Sequence, residues 1–125
     1  MFEVMALVLL TQQPLQPVAE GWASYYTTRE NSMITASGEL MDDGAFTCAM
    51  RKGSFGDYFL VVAENGRSVV CRLNDRGPHV KGRVVDLSRA AMRALSPHRD
   101  LVRVKIYRLG SAPPPTWLTA RQRRE

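Results

Sequence analysis

The stretch Leu73–Leu95, "LNDRGPHVKGRVVDLSRAAMRAL", decides how the chain is read. It opens on the last residue of an apolar run, "SVVCRL", and breaks at once in "NDRGP". A second run, "RVVDL", then passes without a loop into "SRAAMRAL". A turn needs Asn, Gly and Pro, whose backbone preferences shape it. It does not need an acid at each end. Asp75, Arg76 and Asp86 therefore mark the strand edges as places where charge has a use. Ser88 is a good N-cap, and Ala91, Met92 and Leu95 follow at helical spacing until Pro97 ends the run.

Outward from this stretch the chain reads as strands. "ENGR" supplies the Asn-Gly of a tight hairpin between "DYFLVVAE" and "SVVCRL". "AFTCAM" follows the glycine of "DDG", and "GWASYY" is short and aromatic-rich. After the helix, "LVRVKIYRL" alternates apolar and basic residues, as a strand with one wet face should. Six short strands and one short helix predict a mainly β fold, a closed or nearly closed small barrel, because closure removes exposed edges. "GRSVV" and "GRVV" repeat a motif and fit a barrel of two similar halves.

The 125 residues suffice for one domain with short tails, and 45% hydrophobic residues suffice for a core. The net charge of +5 and pI near 9.7 suit a polyanionic partner: nucleic acid, an acidic membrane surface or a carboxylate-rich cell wall. No basic stretch is interleaved with aromatics, which argues against nucleic acid. The densest basic cluster, Arg121, Arg123 and Arg124, lies in a Pro-rich, then charged tail, residues 111–125. The folded domain is expected over residues 21–110. Residues 1–20 form a leader with an apolar run, Val4 to Leu10, far short of the about 20 residues a bilayer span needs. That run has the length of a signal-peptide core, but Glu3 stands where a basic residue belongs. The alternative is a disordered or surface-packed leader.

Cys48 and Cys71 lack metal-ligand spacing, and His79 and His98 have no thiolate partners at zinc intervals, so neither metal nor cofactor is expected. If the strands carrying the cysteines pair, a bridge would close a loop worth about 3 kcal/mol. The alternative is two buried thiols. An exported chain favours the bridge and an oxidising compartment.

Five motifs in series, "GWASYY", "TASGELMD", "AFTCAM", "NGRSVVCRLNDRGP" and "KGRVVDLSRAAMRAL", resemble the rare lipoprotein A domain, akin to barwin and expansin barrels. The resemblance spans about Gly21 to Leu109. It implies a six-stranded double-psi β-barrel with a glycan-binding groove, and a lytic transglycosylase that cleaves the MurNAc–GlcNAc bond of peptidoglycan. By motif, its acids fall on Glu39, Asp42 and Asp75, and Asp86 matches an expansin-type aspartate. Met50 stands where the family has a groove histidine, and a thioether donates no proton.

A lytic transglycosylase needs one carboxyl that first gives and then takes a proton, with a second carboxylate stabilising charge. Each acid also has a plainer use. Asp42 is a turn former, Glu39 a solvated loop residue, Asp75 a partner for Arg72 or Arg76, and Asp86 an acid at a helix start. Trp22, Tyr25 and Tyr26 suit the C–H faces of sugar rings, although at least one of them belongs to a core. Arg76 and Lys81 are placed to meet a lactyl carboxylate, and His79 to move protons. The expected partner is peptidoglycan, met by a monomer in the periplasm or envelope or on a phage. The competing readings are a glycan-binding or wall-loosening module without turnover, and a structural envelope or virion component.

Overall fold

The computed structural model describes residues 16–28 and 33–119. Most of the expected leader and the Arg121, Arg123 and Arg124 cluster lie outside the described residues. The elements run β1 (Ala19–Tyr26), β2 (Thr47–Ala49), β3 (Tyr58–Ala63), β4 (Ser68–Asp75), β5 (Arg83–Ser88), α1 (Arg89–Leu95) and β6 (Val102–Gly110). Each strand falls within a run read from the sequence or overlaps it by all but one or two residues.

The strands close into a barrel in the order β1-β5-β2-β4-β3-β6. The β1–β5 and β2–β4 pairs are parallel, and the remaining pairs are antiparallel. Exchanging β1, β2 and β3 with β4, β5 and β6 leaves this scheme unchanged, so the topology does have two similar halves. The repeated "GR" motif does not trace them. It opens β4 and β5, which the exchange maps onto β1 and β2 instead of each other.

Alternation along each strand separates a filled interior from an outer face. Val61, Leu73, Val85, Leu87 and Ile106 are fully buried and meet at the centre. On β6, Val102, Val104 and Ile106 point in while Arg103 and Lys105 point out. Helix α1 adds Ala91, Met92 and Leu95 to the same core. Its start is capped by Ser88, whose Oγ accepts from the Ala91 amide at 3.3 Å. Cys48 and Cys71 are bonded to each other inside the barrel, with their Cα atoms 5.8 Å apart. Gly21 marks the closest backbone approach: a Cβ there would meet the Gly82 carbonyl oxygen at 2.8 Å.

In the barrel order β5 lies between β1 and β2, and β2 lies between β4 and β5. The segments joining β1 to β2 and β4 to β5 must therefore each cross over an intervening strand. The first of these lies against the end of β4. The Ser37 amide donates to the Asn74 carbonyl at 3.1 Å and the Ala36 amide to Asp75 Oδ1 at 2.9 Å. This crossing builds the site.

Candidate active site

The site begins with Ala49. This residue of β2 is in register with Asp75 of β4 on one side and with Asp86 of β5 on the other. Residues in register share a face, and two strand spacings put the two aspartate Cα atoms about 10 Å apart. Between them stands Ala49, 2% exposed and packed with Tyr26 and Met41. A bulge after Cys48 brings Asp75, rather than Asn74, opposite Ala49.

Each acid is held differently. Asp75 Oδ1 accepts the Ala36 and Arg76 amides, both at 2.9 Å, and its Oδ2 has no hydrogen-bond partner among the described residues. Asp86 accepts the hydroxyl of Ser24, its register partner on β1. Gly77, at φ +120°, keeps the neighbouring space open: a Cβ there would lie 3.9 Å from His79 Nε2 and 4.0 Å from Asp86 Oδ2.

Tyr26 closes the same face from below. It is buried with Met41 and Ala49, and its hydroxyl and that of Thr47 share a hydrogen bond of 2.8 Å. Burial pushes its phenol up to about 12, and the charges of Asp75, Asp86 and Asp43 push in the same direction. Tyr26 is therefore a neutral group beside several carboxylates.

Glu39 reaches this face through Arg72 of β4, which is in register with Thr47. The guanidinium grips both carboxylate oxygens, at 2.8 and 2.9 Å. That bond and its charge hold Glu39 below the usual carboxylate range. Arg72 thus pairs with Glu39 and not with Asp75.

The other expected residues have different surroundings. Asp42 is exposed and its Oδ1 accepts the Gly44 amide at 2.9 Å, an ordinary turn. Its neighbour Asp43 is the one whose charge reaches Tyr26, with its carboxylate held by the Thr28 amide and hydroxyl, each at 3.1 Å. Nothing in a pair of adjacent aspartates distinguishes the two. Tyr25 turns inward, because strand alternation opposes it to Tyr26. It packs on the main core with the Arg93 guanidinium 5.2 Å from its ring centre. Trp22 shares the outer face and is 39% exposed, with Arg103 at 5.8 Å from its ring. Arg76 stacks on Phe55 at 4.2 Å and donates to the Met50 and Gly53 carbonyls, so it shapes the loop. Lys81 is exposed on the turn before β5.

Met50 does not face the acids. Following outward-facing Ala49, its side chain turns into the main core, where it is 7% exposed. It also lines a separate cavity of about 410 Å³ with Val18, Phe59, Val84, Arg51 and Arg108, which none of the acids enters. Sequence reasoning missed Ser24, Asp43 and Arg72. The alternation in "WASYY" was a signal for Ser24, since it places that residue with Trp22 and Tyr26. Among the described residues, no group of three or more His, Cys, Asp or Glu side chains is arranged to hold a metal ion, and no helix is long and apolar enough to cross a membrane.

A family model described as lytic transglycolase matches residues 18–106. The probable endolytic peptidoglycan transglycosylase RlpA of Treponema pallidum is 43% identical over 93 residues, covering 73% of this chain and 29% of its own length. The corresponding transglycosylase of Yersinia pestis is 42% identical over 94 residues, covering 74% and 26%. The chain thus spans little more than a quarter of the curated relatives it matches. Among solved structures, the Streptomyces papain inhibitor superposes with a TM-score of 0.58 at 22% identity, covering 75% of this chain and 97% of that one. An expansin of Clavibacter michiganensis gives 0.59 at 18%, covering 77% and 52%. At these identities the two structures attest the fold alone.

Proposed function

We propose, because this chain belongs to the lytic transglycolase family, that its outer cleft cuts the MurNAc–GlcNAc bonds of peptidoglycan strands and leaves 1,6-anhydro-muramic ends. The observation that carries this reading is the register of Ala49 with both Asp75 and Asp86. It sets two carboxyls on one face, about two strand spacings apart, so that a glycosidic bond can lie across them.

In this reading Asp75 is the acid and then the base. Its Oδ1 is engaged by two amides, and its Oδ2 has no hydrogen-bond partner among the described residues. The proton passes from Asp75 to the glycosidic oxygen as the C1–O bond breaks. The muramic 6-hydroxyl then attacks C1 and returns its proton to Asp75, so no water is consumed. Asp86, oriented by Ser24, carries negative charge beside the oxocarbenium-like transition state. Trp22 offers an exposed ring on the same face for a sugar. The substrate lies outside the cytoplasm, which makes the protein extracytoplasmic and accords with a bridged Cys48 and Cys71. The named relatives offer no support for a phage location.

The test is a digest of purified, denuded peptidoglycan analysed by mass spectrometry. Anhydro-muropeptides are expected from the parent and not from Asp75→Asn. The competing reading, a glycan-binding module without turnover, draws on Glu39, whose two oxygens are both taken by Arg72. Retention on insoluble wall without any anhydro product would select it.

A further inference from the structure

We propose that Arg72 is a positioning residue that fixes Glu39 as an anion at the margin of the cleft, so that Glu39 supplies negative charge there and never the proton. The inference rests on the transglycosylase reading and deepens it, since it divides the labour among the acids.

The argument is geometric. Nη1 and Nη2 of Arg72 each donate to a different oxygen of Glu39, at 2.8 and 2.9 Å. This fork-to-fork arrangement is the strongest geometry open to a guanidinium and a carboxylate. The remaining neighbours are donors as well: the Ser37 hydroxyl at 3.4 Å from Oε1 and the side chain of Asn74, a residue 2% exposed. Among the described residues, every neighbour at the Glu39 oxygens is a donor, and a neutral carboxyl would forfeit the charge attraction of the fork. The arrangement therefore favours the ionised form.

Both partners are held from behind. Arg72 is locked in β4 between Thr47 of β2 and Tyr58 of β3. Glu39 is held by its own loop: the Thr35 amide donates to its carbonyl at 2.8 Å, and Ile34 and Leu40 form a bridge. Ala36 of that loop is tied to Asp75, so the pair also fixes the strap against which Asp75 rests. Among the described residues, Tyr58 from β3 and Tyr26 from β1 are the other ionisable groups whose charges reach Arg72. Neither is an acid strong enough to replace Glu39 as its counter-ion.

Two measurements on the full chain test this. In the first, the Glu39 side-chain carboxyl is titrated by NMR in the parent, Arg72→Gln and Arg72→Lys. The midpoint is expected below the ordinary glutamate range in the parent, within it in Arg72→Gln, and between the two in Arg72→Lys. An unchanged midpoint in Arg72→Gln overturns the proposal.

In the second, anhydro-muropeptide release is followed against pH. The acid limb is expected to move to higher pH in Arg72→Gln, because Glu39 then loses its charge sooner. A purely structural role for Arg72 would lower the whole profile without moving that limb. If Glu39 were the proton donor, Arg72→Gln would instead raise turnover near neutral pH, which would also overturn the proposal. A parent that releases no anhydro product removes the transglycosylase reading itself, and the titration alone then upholds or overturns the pairing.

Discussion

Asp75 and Asp86 stand on opposite sides of Ala49, one strand away in each direction. Asp42, quoted from the same motif as Glu39, closes a turn onto Gly44 instead. The two aspartates Asp75 and Asp42 should therefore respond differently to one chemical change. Asp42→Asn keeps a side-chain oxygen for the Gly44 amide and is expected to hold turnover within about twofold of the parent, a change of under roughly 0.5 kcal/mol. Asp75→Asn removes the proposed acid and should cost about 10²–10⁴-fold. Initial rates of anhydro-muropeptide release decide between them; equal losses would return Asp42 to the site.

Ser24 offers a finer test of Asp86. A hydrogen bond to a charged group contributes about 1.5–3 kcal/mol, so Ser24→Ala should lower turnover by about 10- to 100-fold. Ser24→Thr keeps the hydroxyl and should stay near the parent. The wall-binding isotherm, measured in parallel, separates lost chemistry from lost affinity.

Met50→His asks where residue 50 points. A histidine in a groove would add a proton-transfer group and raise activity. The structure puts this side chain in the core, where an imidazole meets few polar partners. Urea unfolding is expected to show a loss of about 1–3 kcal/mol for Met50→His, against under about 1.5 kcal/mol for Met50→Leu. A histidine variant as stable as the parent and more active would place residue 50 back in the cleft.

Tyr26 makes alkaline stability predictable. Its folded pKa, raised to about 12 from 10.0, lies above the unfolded one, so the unfolded chain releases the phenolic proton first. The stabilising contribution is whole below pH 10 and declines as pH rises through 12, by roughly 2–3 kcal/mol. Absorbance titration of the phenolate and unfolding free energy against pH should agree. In Tyr26→Phe that portion of the alkaline decline should disappear, although the partner of Thr47 is lost.

Glu39 acts at the other end of the pH scale. Its folded pKa is lowered, first by the bond from Arg72, so its contribution is present above the unfolded value and is lost as pH falls through the folded one. With the Arg72 and Glu39 side chains 31% and 43% exposed, the effect is screened and should shrink in high salt. A Glu39→Gln protein whose acid unfolding curve matches the parent at low salt would contradict this.

Local chemistry was enough to place the elements. Alternating runs such as "VRVKIY", the Asn65-Gly66 turn and the Ser88 cap are determined by neighbours a few residues away, and the structure holds them where they were read. The ordered series of motifs named the family for the same reason, because short segments carry those signals intact.

What the sequence could not decide was which side chains face one another. The Asp75–Ala49–Asp86 row depends on parallel and antiparallel pairings between strands far apart in the chain, and on a bulge after Cys48 that shifts the register. The face that Arg72 presents and the inward turn of Met50 follow from that register, while Glu39 and Asp43 are placed by the crossing segment that lies against the end of β4. A one-residue change of register exchanges the faces of a strand. Barrel closure, a property of the whole chain, therefore settled what each acid could reach.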